Sequence, residues 1–108
     1  MEGLWTIEFG SSAGVFGGGV VVLQNGRLMG GDGGYFYLGT YQLDGTSLQA
    51  MIEVSPFIPG YESVFKTVGQ KLTLNLVGKL TDETHAIAQG HPSGMPSLKL
   101  GVKLTKRS

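Results

Sequence analysis

The sequence predicts an all-β protein: one domain, residues 1–108, folded as a small antiparallel barrel of about eight strands. The first observation is alternation with a period of two, which is typical of strands with one buried face. In the clearest case one face carries Leu48, Ala50, Ile52 and Val54. The second observation is that such segments recur about every 8–12 residues, which indicates a sandwich or a barrel. In so short a chain, closure into a barrel also removes exposed sheet edges.

Apolar runs between turn signals predict the positions of the strands. We expect strands at Gly3–Ser11, Val20–Leu23, Arg27–Met29, Tyr35–Leu43, Leu48–Val54, Lys71–Leu80, Thr84–Gln89 and Leu98–Leu104. The glycine-rich segment 10–19 is expected to be a loop or a loose hairpin. The longest irregular segment, 56–69, contains two prolines and is the natural lid or mouth of the domain.

Two dipeptides predict tight hairpin turns. Asn25-Gly26 lies between two apolar runs, and Asn and Gly tolerate the positive φ that a type I′ turn needs at both central positions. Asp44-Gly45 predicts a second turn of the same kind. In the loop 30–34, Asp32 is expected to accept hydrogen bonds from its own backbone.

Composition narrows the classes of function. Eight basic and eight acidic residues balance without a basic stripe, so nucleic-acid binding is not expected. The chain has no cysteine, which excludes disulfides, thiolate metal sites and thiol nucleophiles. No signal peptide is recognisable, and no apolar run reaches the roughly 20 residues of a membrane helix. We therefore expect a cytoplasmic protein without a membrane partner.

Residues suited to catalysis or metal binding are scarce. His85 and His91 have no recognised zinc spacing and are expected to be exposed. Asp82 and Glu83 are adjacent, as in a solvated turn. No Gly-x-Ser-x-Gly motif marks a nucleophile. The sequence therefore predicts no enzyme activity, no catalytic residue, no metal site and no cofactor.

Small residues on inward faces leave room inside the predicted barrel. These are Gly39, Ala50, Ala86 and Ala88, and the space they leave would suit a small apolar ligand. As candidates to line such a cavity we take the following side chains: Trp5, Tyr37, Tyr41 and Leu74. Trp5, the only tryptophan, is equally a candidate for plain core packing.

Two strands are apolar on both faces, which predicts a covered outer surface. They are Val20–Leu23 and Tyr35–Leu38. We take the outward side chains to be Val21, Leu23, Phe36 and Leu38; the opposite assignment leaves an equally apolar set outside. A contiguous exposed apolar patch usually marks an interface, so a homodimer is expected. The segment 56–69 is the alternative cover.

Four segments of the chain follow a pattern known from other proteins: the opening MEGLWTIEF, the run GGGVVVLQNGRLMGGDGGYFYLGTY, the short SVF at 63–65 and the basic tail. The most specific piece is NGR-x-x-GGD-x-x-Y, from Asn25 to Tyr35. Over nearly its full length the chain thus resembles the GrlR-type family, negative regulators of type III secretion and their uncharacterised relatives.

The resemblance implies a lipocalin-like β-barrel, a homodimer, and regulation by binding and occluding a transcriptional activator. It places partner contact on an acidic run after the tyrosine-bearing strand, where this sequence has the single acid Asp44. That departure predicts weak binding to a type III activator. The sequence thus supports a partner-binding regulator, with a carrier or sensor of a small apolar ligand as the alternative.

Overall fold

The computed structural model describes all residues from Met1 to Ser108 and contains eight antiparallel strands closed into one barrel. The strands are β1 (Gly3–Ser11), β2 (Phe16–Gln24), β3 (Arg27–Gly31), β4 (Tyr35–Asp44), β5 (Ser47–Pro56), β6 (Leu72–Asp82), β7 (His85–Pro92) and β8 (Leu100–Lys106). Each strand pairs with its neighbours in the chain, and β8 pairs with β1. The predicted all-β antiparallel barrel of eight strands is confirmed. No helix is present that is long and apolar enough to cross a membrane.

The up-and-down order gives the barrel two different ends. Tight turns between β2 and β3, β4 and β5, and β6 and β7 lie at one end together with both termini; we call this the turn end. The other end carries the longer connections, including the lid, residues 57–71 between β5 and β6. The lid contributes Phe65 to the core, with 6% of its surface exposed.

The inward residues of all eight strands form the core inside the barrel. At the turn end it is sealed by Trp5, which is fully buried and donates its indole N–H to the Met1 carbonyl oxygen at 3.0 Å. Buried indole nitrogens need such a partner, so this bond ties the N-terminus across the turn end.

The two hairpin turns differ from each other. Asn25 (φ 52°) and Gly26 (φ 78°) both have positive φ, as predicted for a type I′ turn. The second prediction was wrong in detail, because Asp44 pairs with Ser47 and the two turn residues are Gly45 and Thr46. Only Gly45 has positive φ (62°), which is the pattern of a type II′ turn with glycine first.

Of the two structures predicted for the glycine-rich segment 10–19, a loop or a loose hairpin, the structure has the hairpin: Gly10 and Ser11 end β1, and residues 16–19 begin β2. Gly17 pairs with Phe9, whose ring lies 2.7 Å from where a Cβ of Gly17 would be. Gly10 pairs with Phe16 in the same way, again with the ring at 2.7 Å. Each aromatic ring covers the glycine opposite it, which stabilises a strand that glycine alone would weaken.

The assignment of faces on β2 corrects another prediction. Val21 and Leu23 point into the barrel, with 3% and 1% of their surface exposed, and they are not on the outer surface. Val20 and Val22 face outward instead. Both faces are apolar, so the pattern could not choose between them; pairing of Val21 with the inward Trp5 sets the face.

Candidate functional site: an apolar cavity and an apolar outer face

The barrel interior contains an apolar cavity of about 100 Å³ lined by 23 residues, of which 21 are hydrophobic. Tyr37, Tyr41 and Leu74, singled out from the sequence, line this cavity. Trp5 does not line it and belongs to the packed turn end. The cavity is smaller than the roughly 300–1,000 Å³ of drug-binding pockets, but it is larger than a single water needs.

Small residues account for only part of this space. Ala50 and Ala88 line the cavity, whereas Ala86 is packed in the core with 1% exposure. Gly39 leaves no room, because a Cβ there would lie 2.3 Å from the carbonyl oxygen of Met51. The prediction that Gly39 and Ala86 open the cavity was therefore wrong. Gly39 allows β4 to approach β5 closely, and Ala86 is surrounded by other core residues and does not line the cavity.

Two polar residues line the cavity, and both come from lid-end connections. Asp32 Oδ1 accepts hydrogen bonds from the backbone N–H groups of Gly34 and Tyr35, both at 2.9 Å. This confirms the predicted backbone cap. The other oxygen, Oδ2, accepts a hydrogen bond from the Tyr37 hydroxyl, a contact that the sequence analysis missed. Strand alternation places Tyr35 and Tyr37 on one face, and that signal could have located the contact.

Ser63, the second polar residue, organises the lid itself. Its hydroxyl oxygen accepts hydrogen bonds from the backbone N–H of Phe65 at 3.1 Å and of Thr67 at 3.2 Å. It also lies 2.6 Å from the Thr67 hydroxyl. These bonds form a compact turn that directs Phe65 into the barrel.

Three further hydrogen bonds hold the lid over the cavity. The Tyr35 hydroxyl donates to the carbonyl oxygens of Tyr61 at 2.9 Å and Thr67 at 3.3 Å. The Ser11 hydroxyl donates to the carbonyl oxygen of Val64 at 2.5 Å. Because β1 and β4 both hold it, the lid is fastened at two separate places on the barrel rim.

Burial raises the pKa of the inward tyrosines. For Tyr37 burial is the largest cause, and the hydrogen bond to Asp32 and the charge of that carboxylate act in the same direction. The pKa of Tyr35 is raised by burial and then by Asp32. At the turn end, the pKa of Tyr41 is raised by burial and by its hydrogen bond to Glu2, at 3.1 Å.

These shifts predict loss of stability in alkaline solution. A phenol whose pKa is raised on folding adds stability that is complete below the unfolded value of about 10 and is lost as pH rises above it. We expect the melting temperature to fall as pH rises above about 10, and the fall should be shallower in Tyr37→Phe. Thermal melts across this range, with phenolate absorbance, measure it. Ionisation of Tyr35, Tyr37 and Tyr41 near the ordinary pKa of a phenol in an intact fold would contradict the assignment.

An apolar patch covers the outside of β1–β4; we call it the outer apolar face. It consists of Leu4, Val20, Val22, Met29, Phe36 and Leu38. Cross-strand pairing aligns four of them in one row: Leu4 with Val22, Val22 with Met29, and Met29 with Leu38. Phe36 and Leu38, predicted to face outward, are 41% and 47% exposed. The structure thus combines the predicted outward residues of β4 with the opposite face of β2.

The predicted contact residue Asp44 lies elsewhere. It is exposed at the turn end, where β4 ends, and takes no part in the cavity or the lid. The outer apolar face occupies the flank of the barrel, so the structure does not bring Asp44 together with it into one site.

The histidines and neighbouring acids belong to a turn and a strand. His85 Nδ1 lies 2.9 Å from Asp82 Oδ1, and the backbone N–H of Thr84 donates to the same oxygen at 2.8 Å. The hydrogen bond from the Thr84 backbone is the largest cause that lowers the pKa of Asp82, and the hydrogen bond with His85 acts in the same direction. Nowhere do three or more His, Asp or Glu side chains gather so as to hold a metal ion.

Comparison with known proteins adds no relative to this description. No protein-family model matches the chain, and no curated protein matches it. The features of the molecule that bear on its function are therefore the cavity, the lid and the outer apolar face.

Proposed function

We propose that this protein is a cytoplasmic regulator that acts by protein–protein binding: it forms a homodimer and sequesters a second regulatory protein. The GrlR-type family that it resembles suggests the regulatory role. The outer apolar face is the single observation in its favour. Each large apolar side chain left in water forgoes roughly 1.5–3 kcal/mol of burial, and contiguous patches of this kind usually mark interfaces.

A second copy of this chain is the partner that best fits the outer apolar face. None of its six side chains is charged, so two copies can meet around a twofold axis without like charges opposing each other across the patch. The chain as a whole has no formal net charge, which removes long-range repulsion between copies. A dimer through this flank leaves Asp44 at the turn end exposed, and we assign the contact with the regulatory protein to that end.

Analytical ultracentrifugation tests the dimer. At micromolar concentration we expect a species of twice the 11.4 kDa chain mass. Phe36→Asp and Leu38→Asp should each weaken the dimer by about tenfold or more, since a carboxylate in an apolar interface loses its hydration.

The matched control makes the same change on a different flank. Val77 on β6 is an exposed apolar residue, 54% exposed, outside the outer apolar face. Val77→Asp should leave the dimer intact. A wild-type protein that is monomeric at every concentration would remove this proposal, and so would equal dissociation by all three variants.

A second candidate function, carriage or sensing of a small apolar ligand, is favoured by the cavity. The space is almost entirely apolar, is covered by a fastened lid and has one carboxylate at its lid end. Apolar pockets with a few well-placed polar groups are the usual form of ligand sites. Native mass spectrometry of the purified protein should then show the chain with a retained small molecule.

A further inference from the structure

We infer that the cavity selects a small apolar ligand whose head group donates a hydrogen bond and carries no negative charge, an alcohol or a protonated amine, and that Asp32 binds this head group. The inference rests on the ligand-binding candidate. It goes further by assigning the chemistry of the ligand and the residue that recognises it.

The charges around the cavity exclude an anionic ligand. No lysine, arginine or histidine lines the space, and its one charged residue is Asp32. A fatty-acid carboxylate would lose its hydration with no cation to compensate, and it would meet a second carboxylate at the lid end. An ammonium group would instead pair with the opposite charge there.

The hydrogen bonds of Asp32 leave it able to accept one more donor. A carboxylate offers about four acceptor positions. Three are used, by the N–H groups of Gly34 and Tyr35 and by the Tyr37 hydroxyl. An additional hydroxyl or ammonium donor would complete the set.

The tyrosines cannot supply a donor to a ligand acceptor. The hydroxyls of Tyr35, Tyr37 and Tyr41 each donate to a protein oxygen already, from Tyr61, Asp32 and Glu2 respectively. A ketone or ester head group would therefore find no free phenol. Ser63, the other hydroxyl that lines the cavity, lies 2.6 Å from the Thr67 hydroxyl and so already has a hydrogen-bond partner. The arrangement favours ligands that donate over ligands that only accept.

The volume limits the apolar part of the ligand. An engineered cavity of about 150 Å³ takes benzene, so the cavity of about 100 Å³ suits a short alkyl chain or a small ring. With its head group at Asp32, such a chain would extend from the lid end toward Ala50 and Tyr41, which line the cavity on the side of the turn end.

A series with one alkyl chain and three head groups tests the inference. Propylamine, propanol and propanoate are titrated into the protein at neutral pH by calorimetry, and xenon binding, followed by NMR, serves as a probe that has no head group. We expect the amine and the alcohol to bind about tenfold or more tightly than propanoate, since hydrogen bonds to a charged group are among the stronger ones. Bound ligands should also raise the melting temperature.

Asp32→Asn is the decisive variant, because an amide oxygen can still accept the N–H groups of Gly34 and Tyr35 while the charge is removed. It should lower the affinity for propylamine about tenfold, reduce the difference in affinity between propylamine and propanoate, and leave the affinity for xenon unchanged. If this variant does not fold, as judged by circular dichroism, the order of the three head groups on the wild type still decides.

The outcomes separate the inference from the ligand-binding candidate. Ala50→Leu, which places a larger side chain in the cavity, should abolish binding of all four probes. Xenon binding together with equal affinities for propanoate and propylamine would overturn the head-group assignment and leave the ligand-binding candidate standing. No binding by any probe would overturn both.

Discussion

Replacing Trp5 with alanine should lower the free energy of unfolding by about 3–5 kcal/mol, the cost typical of removing a large aromatic side chain from a core. Small domains are stable by only about 5–15 kcal/mol, so this variant should be close to unfolding. Trp5 is one of the three largest side chains that are fully buried in this protein. Its removal also frees Met1, whose carbonyl oxygen the indole N–H contacts.

Urea unfolding followed by circular dichroism measures the effect of Trp5→Ala. Phe57→Ala is the matched control, since Phe57 is an aromatic residue of the lid with 52% of its surface exposed. An exposed substitution of this kind usually changes stability by no more than about 0.5 kcal/mol. If Trp5→Ala and Phe57→Ala lowered the free energy of unfolding by similar amounts, the stability of the barrel would not depend on the packing of the turn end.

The strands could be predicted from the sequence where one face is polar. Leu48–Val54 alternates cleanly, and it lies within β5 with Leu48, Ile52 and Val54 inward. In β2 both faces are apolar, so local pattern carries no information on which one points inward. That choice depends on pairing with β1, a contact between residues far apart in the chain.

Glycine limited the prediction in a different way. A run of glycines is typical of loops, yet Gly17 and Gly10 lie in strands because aromatic side chains on the neighbouring strand cover them. This compensation is visible only when the register is known. The same holds for Gly39, which was expected to open the interior and in fact lies against the backbone of β5.

The candidate site was partly accessible to sequence reasoning. The cap of Asp32 on its own backbone is a local property of the residue type, and it was predicted. The approach of Tyr37 to the same carboxylate and the fastening of the lid by Ser11 depend on how distant segments meet. Cavity volume depends on how all the inward side chains pack together, and no single residue predicts it.

Replacing Gly78 with alanine should destabilise the barrel by about 3 kcal/mol, at the upper end of the range for overpacked cores. A Cβ at Gly78 would lie 1.9 Å from the carbonyl oxygen of Ile87 and 2.6 Å from the Cα of Ala88. Both atoms belong to the backbone of β7, so no flexible side chain can move aside. The two strands would have to separate, which would break their hydrogen bonds at this point in the barrel wall.

Gly101→Ala on β8 is the matched control for that substitution. Neither glycine has positive φ, so backbone strain does not distinguish them. No atom lies within 4 Å of a Cβ placed at Gly101. Because glycine in a strand interior is less favourable than alanine by roughly 0.5–1 kcal/mol, Gly101→Ala should be neutral or slightly stabilising. Equal urea midpoints for the two variants would contradict this prediction. They would show that β6 and β7 do not pack so closely at Gly78 that a Cβ there forces the strands apart.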